Sequence, residues 1–441
     1  MENARDLGTM LRSFRLEPLR EDELAEFFYE HTMATRTGDE WKSPLRNLFK
    51  ACTMPSDANA HLLLGHRGCG KSTELANLKR QLEEAGQPVR IVDCALELDL
   101  FQATCWDIML LITEGLCEIA KEKNIAIHTD TIQAVLDYLK KDKEIIETED
   151  TSLALEASAG AKVSTPFLLE KLLSIFGSIK TDAKLSAGTH IVVKEKLEPR
   201  TSDWLNYTKL MATFISEGCG DKQPIVIFEG LDKLPMPENI FNILRFTALA
   251  EMPFPVIYTF PISQYYSSTF STIRDLYTPH ILPMIKISNL DKSENAEGIA
   301  VMREIVKKRA DLALFDGEGE NSVLEYLIRK TGGSLRHLFD CIMNAARRAD
   351  WRGAGRIQHE DADSALSGLR SELTRLIVYP DFQNLANIYK DKKYRERIDD
   401  RDLLLRMTQA SVVIEYQNGK RWHDLHPLIA DFLADQGEVD G

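Results

Sequence analysis

The sequence predicts an α/β fold in which a parallel-sheet core is followed by a helical lid and, last, a helix-plus-hairpin module. Three stretches carry that expectation. From His61 to Glu83, HLLLGHRGCGKSTELANLKRQLE passes from a short apolar run through a glycine-rich turn to Leu75, Leu78 and Leu82 at helical spacing. From Asp221 to Pro235, DKQPIVIFEGLDKLP reads as an apolar strand tipped with acids. Near the end, DDRDLLLRMTQASVVIEYQNGKRWHDLH places a helix before two strand-like runs joined by Asn-Gly, the hairpin signal.

Composition bounds the reading. At 441 residues and 44% hydrophobic the chain has length for two or three domains with real cores. A net charge of −14 and a pI near 5.3 argue against a broadly basic nucleic-acid surface and leave room for a local patch. Apolar runs are broken by charge well before the roughly 18 residues a membrane span needs, and MENARDLGTM lacks a signal-peptide core, so a cytoplasmic protein without a membrane partner is expected. The seven cysteines, at 52, 69, 94, 105, 117, 219 and 341, form no CxxC pair, which suggests neither zinc nor a disulfide framework.

The elements follow in order. Residues 1–60 form a helical lead-in, with helices at Glu21–His31 and Pro44–Ala51 and a loop from Thr35 to Trp41 whose Arg36 or Trp41 is placed to meet a base or simply to pack. Residues 61–290 form the core. After the first strand and helix, VRIVDCALELDL from Val89 is a second strand, and Cys105–Lys121 is a buried helix. Residues 122–200 read as an insertion: a helix at Thr131–Lys141, the acidic KEIIETEDTS, the small-residue ALEASAGAKVS, an apolar helix at Pro166–Ile179 and a strand-like THIVVKEKL. The strand PFPVIYTFP, the helix STIRDLY and the strand HILPMIKI close the core. Residues 291–357 form the lid, with helices at Glu294–Ala310, Ser322–Thr331 and from GGSLRHL onward, and residues 358–441 form the last module, opening with helices at Glu360–Leu376 and Asp381–Lys390.

The glycine turn carries the chemistry. Gly65, four residues, Gly70, Lys71 and Ser72 make the full phosphate-loop pattern in strand-loop-helix context. Glycines let successive backbone N–H groups turn inward, and the following helix adds the positive end of its dipole. The candidate nucleotide-binding residues are therefore Gly65, His66, Arg67, Gly68, Cys69, Gly70, Lys71, Ser72 and Thr73. Lys71 is to reach the outer phosphates and Ser72 to ligate magnesium, while Cys69 fills a variable position. On the acid-tipped strand, Glu229 is to hold the magnesium shell with Ser72, and Asp232 to polarise water for in-line attack. Thr259, at the end of PFPVIYTFP, is placed to touch the terminal phosphate or the water. Arg274 is placed to reach a nucleotide in a neighbouring subunit, and Arg336, in the first turn of the lid helix, to swing onto the terminal phosphate. His423 and His426 flank the second hairpin strand with no third metal ligand nearby, so they are read as ordinary polar positions.

Together GHRGCGKS, IVIFEGLDKL, the strand ending at Thr259, GGSLRHL and the terminal hairpin resemble the AAA+/STAND type of P-loop ATPase over residues 60 to 435. In layout the chain is similar to origin-initiator and transposition-helper ATPases and to bacterial STAND switches. The resemblance implies an α/β P-loop NTPase core with a helical lid and a C-terminal winged helix, and ATP and Mg2+ as ligands. It further implies Walker B roles for Glu229 and Asp232, sensor-one and sensor-two roles for Thr259 and Arg336, and Arg274 as an arginine finger. The first acid here is Glu229 where Asp is usual, and Gly230 stands where motors commonly carry a catalytic Glu, which implies slow turnover with Asp232 taking the water. Two functions are expected from this layout. The first is a nucleotide-controlled switch that works through homo-oligomerisation or a separate effector protein, in bacterial defence by analogy of layout. The alternative is a DNA-binding ATPase of initiator, loader or transposition-helper type, disfavoured because Arg397, Arg401 and Arg406 on the would-be recognition helix are offset by Asp399, Asp400 and Asp402.

Overall fold

A computed structural model of the chain describes residues 3–39, 42–54, 58–140, 165–185, 201–391 and 401–439. Of the sequence expectations, Trp41, the acidic and small-residue segments and the strand-like THIVVKEKL lie outside the described residues.

Five strands form one sheet in the order β2-β3-β4-β1-β5: β1 (Ala60–Gly65), β2 (Val89–Asp93), β3 (Ile225–Glu229), β4 (Val256–Pro261) and β5 (Thr278–Ile281). All neighbours run parallel. β1, β3 and β4 are buried along their whole length, which is why they read as continuous apolar runs rather than alternating ones. Alternate residues go to opposite faces. Leu62, Leu64, Val226, Phe228 and Tyr258 share one apolar cluster with the helix Cys105–Glu122 and with Thr129–Lys140, Thr165–Leu185 and Thr201–Gly218 packed around it, while Leu63, Ile225, Ile227 and Ile257 share another with Leu75, Leu78 and Leu82 of the helix Lys71–Glu84. The two described helices between residues 122 and 200 thus bury their apolar faces in the core, Ile132 and Leu136 on one and Leu168, Leu172 and Phe176 on the other. The architecture is an α/β P-loop NTPase fold.

Register decides where chemistry gathers. Gly65 lies opposite Pro261 and Asp93 opposite Glu229, and because Phe228 and Leu62 both lie opposite Tyr258, β2 and β3 end two residues short of β1 and β4, so the glycine loop and the acids share one edge, outside the strand C-termini.

A second apolar cluster joins the N-terminal helix Leu7–Ser13 to the helices Ala296–Lys307, Val323–Lys330 and Leu335–Trp351 and, through His359–Thr374, to the last elements. Phe14 meets Phe339 edge-on at 5.3 Å between ring centroids. The C-terminal part adds helices Phe382–Lys390, Arg401–Gln409 and Pro427–Asp435 and an antiparallel hairpin, β6 (Val413–Asn418) and β7 (Lys420–Leu425), turned at Gly419 with φ of +69°. Ile414, Tyr416 and Trp422 of this hairpin join the apolar cluster beneath the glycine loop.

Several boundaries differ from the sequence expectation for local reasons. The first core helix begins at Lys71, directly after the left-handed Gly70. β2 stops at Asp93, whose carboxylate accepts the Ala95 N–H and starts the single turn Cys94–Glu97. The helix from Glu21 ends at Phe27 because Phe28 is extended, and the expected loop after Thr35 is the end of a short helix, Met33–Thr37, closed by Gly38 at φ of +76°. Arg274 lies on an exposed turn after the 3-10 segment Ser268–Thr272 instead of on a helix. β5 is four residues long, and Pro283, with no N–H to give the ladder, follows its end. Among the described residues no helix is long and apolar enough to cross a membrane.

Candidate functional site

The glycine loop is tight because it has to be. Gly68 and Gly70 take φ of +82° and +97°, conformations that side chains resist. A Cβ on Gly68 would lie 2.5 Å from the Cβ of Arg336, so this loop and the lid helix touch backbone to side chain.

Lys71 crosses under the loop and is buried. Its Nζ donates to the carbonyls of Gly65 (2.7 Å) and His66 (3.0 Å) and forms an ion pair with Asp232 Oδ2 at 2.9 Å. Burial works against its charge, but Asp232 and its neighbours outweigh that and hold the ammonium pKa above the ordinary value. Burial would likewise raise Asp232, and Lys71 beside it instead keeps the carboxyl below the usual range. Ser72 Oγ donates to Glu229 Oε1 at 2.6 Å, and Lys233 Nζ reaches the same oxygen at 2.9 Å. A hydroxyl and a carboxylate held this close can share one divalent cation. Among the described residues no three His, Cys, Asp or Glu side chains gather to hold a metal by themselves, so such an ion would take its remaining oxygens from phosphate and water.

Thr259 sits at the heart of the edge, buried. Its hydroxyl accepts the Leu231 N–H at 3.0 Å and donates to the Phe228 carbonyl at 3.1 Å, so its one proton is spent on holding the turn that carries Gly230 and Asp232. Arg336 lies at the rim in the first turn of the lid helix, a helix capped by Ser334, which accepts the His337 N–H. Burial and the neighbouring Arg67 lower its pKa, as expected where two cations face one space. Arg274 does not line this cleft in its own chain.

The cleft over the loop encloses about 640 Å³, within the roughly 300–1,000 Å³ of small-molecule sites. Gly65, Arg67, Gly68, Gly70, Lys71, Ser72, Thr73 and Asp232 line it, together with Arg336 and Phe339 of the helix Leu335–Trp351. Leu16–Leu19 and Phe27–Tyr29 of the N-terminal segment complete the lining, which sequence reasoning did not single out because an expected helix at Glu21–His31 does not say which of its residues meet a cleft. Arg36 has another task than stacking on a base. It is 1% exposed, and its guanidinium donates to the carbonyls of Cys69 (2.8 Å) and Pro283 (2.7 Å), bracing the loop from behind.

His66 ties the loop to the C-terminal hairpin. Its Nε2 accepts the backbone N–H of Glu415 at 2.8 Å, and burial, with Lys71 nearby, pushes its pKa down to about 3, so the ring is neutral and the acceptor is retained. Three further bonds cross the same boundary: Tyr416 Oη donates to Gly332 O at 2.8 Å, Tyr266 Oη donates to Glu415, and Ser263 Oγ donates to Gln409 Oε1. His423 belongs to this network, 3.0 Å from Tyr266 Oη, and His426 caps the last helix and meets His337 at 3.1 Å.

No protein-family model matches the chain, and no curated protein matches it. Among solved structures it is similar to the Orc1 protein of Aeropyrum pernix in complex with DNA, at 12% identity and a TM-score of 0.40, with 99% of this chain and 97% of that one covered. It is also similar to Cdc6p from Pyrobaculum aerophilum, at 13% identity and a TM-score of 0.35, with 96% and 98% covered. The ADP form of the Aeropyrum pernix Orc2 protein gives 12% identity, a TM-score of 0.40, and 97% and 98% covered. Likeness at this level says nothing about what this chain binds.

Proposed function

We propose that this chain binds ATP with magnesium in the cleft over the glycine loop and acts as a slowly hydrolysing switch of the AAA+/STAND type, coupling nucleotide state to oligomerisation or to a partner protein. The observation that carries this reading is the bond from Glu415 N–H to His66 Nε2, because it fastens the C-terminal hairpin, read here as the wing of a winged helix, to the phosphate loop itself. A change in loop conformation on nucleotide exchange is then felt by the hairpin directly, the two-state coupling a switch needs.

In this reading the loop N–H groups and Lys71 hold the phosphates, and Ser72 with Glu229 holds the magnesium. Lys71 leaves Asp232 for phosphate, which frees Asp232 to orient water, while Thr259 keeps the turn that carries it in place. Arg336 answers to the terminal phosphate from the lid. Arg274 is exposed, as a residue reaching the nucleotide of a neighbouring copy has to be. The defence role suggested by layout has no residue behind it and is not carried forward.

The alternative is a DNA-acting ATPase; one of the similar structures, the Orc1 protein, is in complex with DNA. In this chain Arg406 is paired with Asp381 at 3.0 Å, while Arg401 and Lys420 are exposed. Steady-state ATP turnover by the full chain, with and without duplex DNA, separates the two. Slow turnover that DNA leaves unchanged and Glu229→Gln abolishes supports the switch. Turnover raised several-fold by DNA, and returned to its basal rate by Arg401→Glu with Lys420→Glu, establishes the alternative. Absence of ATP binding overturns both.

A further inference from the structure

The last turn of the helix Arg401–Gln409 reaches the cleft: Thr408 and Gln409 line it together with Asp232, Lys233, Pro261 and Ile262. Position along the sheet says which end of the cleft this is. Pro261 closes β4 directly opposite Gly65, the first residue of the loop, and Ser263, two residues on and 1% exposed, donates to Gln409 Oε1 at 2.5 Å. Gln409 is thus anchored just past the C-terminal end of β4, in the cleft that Asp232 also lines, on the side where the reading above puts the terminal phosphate.

Chemistry narrows what Gln409 can do there. Its amide oxygen is occupied by Ser263, which leaves the NH₂ group, a pure donor, as the part of the side chain open to a ligand. A donor without charge in a cleft that Lys71, Arg67 and Arg336 also line suits an anion whose charge those cations already balance in part. A second observation points the same way. Thr408, buried on the same turn, has a hydroxyl with no hydrogen-bond partner among the described residues, an uncommon condition for a buried polar group.

We infer that Gln409, oriented by Ser263, donates a hydrogen bond to the terminal phosphate of bound ATP and so makes the C-terminal helix a direct reader of the third phosphate. This rests on the ATP site proposed above and adds a ligand from the C-terminal part of the same chain. ADP, lacking that phosphate, leaves Gln409 on Ser263 alone. The helix ends at Gln409, and a turn through Ser411, at φ of +59°, leads into β6, whose Glu415 is fastened to His66, so the nucleotide would be sensed at both ends of one short segment, 409–415.

The test is isothermal titration of the full chain with Mg·AMPPNP and with Mg·ADP, for the wild type, Gln409→Ala, Gln409→Glu and Ser263→Ala. Gln409→Ala is expected to weaken AMPPNP about tenfold and to leave ADP within about twofold, the loss of one hydrogen bond to a charged group. Gln409→Glu is expected to weaken AMPPNP further by repulsion, and Ser263→Ala to show part of the alanine effect. Hydrogen exchange over residues 411–426 should be slower with AMPPNP than with ADP in the wild type, a difference lost in Gln409→Ala. Equal effects on both nucleotides, or none on either, would overturn the inference while leaving the nucleotide site intact. A wild type that binds neither nucleotide removes the site itself.

Discussion

Lys71 and Asp232 form a buried ion pair, Nζ to Oδ2 at 2.9 Å, with both side chains nearly withdrawn from water. The lysine proposed to bind phosphate is thereby held by a carboxylate that lines the same cleft. In the function proposed above, an entering phosphate competes with Asp232 for Lys71, and the competition sets when the acid is released.

Removing one partner of that pair strands the other. Lys71→Ala is expected to abolish nucleotide binding and to cost about 3–5 kcal/mol of stability, because Asp232 is left as an unpaired buried charge. Adding Asp232→Asn should recover most of the stability and none of the binding. Thermal denaturation and nucleotide titration of the three proteins check this, and micromolar ATP affinity in Lys71→Ala would remove Lys71 from the site.

Gly68 and Gly86 share φ of +82° but differ in surroundings. A Cβ on Gly86 meets nothing within 4 Å, whereas one on Gly68 runs into Arg336. Gly86→Ala should cost only the left-handed backbone penalty, about 1–2 kcal/mol. Gly68→Ala should cost about 1–3 kcal/mol more through the clash and should loosen the lid helix. Chemical denaturation gives both numbers. Equal losses would mean that loop and lid do not press on each other.

Thr259 is expected to be a positioning residue whatever it does near phosphate. Thr259→Val leaves the Leu231 N–H without its acceptor and should destabilise the chain by about 1–3 kcal/mol, with Thr259→Ser largely neutral. A valine variant with full stability and slowed turnover would instead assign the hydroxyl to the reacting groups alone.

Acid should destabilise this protein earlier than carboxylate titration alone would. Burial lowers the pKa of His66 to about 3 and of His61, His280 and His337 to about 4, and holds that of His426 well below the ordinary value. Unfolded histidines take a proton near pH 6.5 and the folded ones do not, so the stability they contribute is complete above that value and falls as pH drops towards 4. Each contributes at most about 1.4 kcal/mol per pH unit. The Asp232 contribution is lost only below the ordinary carboxylate range, because its folded pKa is lowered, and that of Lys71 only as pH rises from the ordinary lysine value through its raised one. Denaturation midpoints from pH 7 to 4.5, with His66→Asn as the variant one proton less sensitive, test the sign. A flat profile would contradict it.

Sequence alone determined the sheet core, the glycine loop that joins strand to helix and most helices, because each is a local statement. A strand that both sheet faces bury must be apolar throughout, a loop that cradles phosphate needs glycines at fixed offsets, and a hairpin turn asks for Asn-Gly. Lys71, Ser72 and Glu229 were legible for that reason, and the structure brings Ser72 and Glu229 within a hydrogen bond across 157 residues of chain. What only the tertiary structure decided are relations between distant segments that leave no periodic trace. The Glu415 amide bonds His66 from 349 positions away, and Arg36 braces the loop from outside any recognisable motif. The hydroxyl of Thr259 is spent on Leu231, a use that no strand-end threonine announces. Gln409 reaches the cleft only because the C-terminal helix packs on the segment after β4, and that packing depends on complementary surfaces rather than on the spacing of residues along either one.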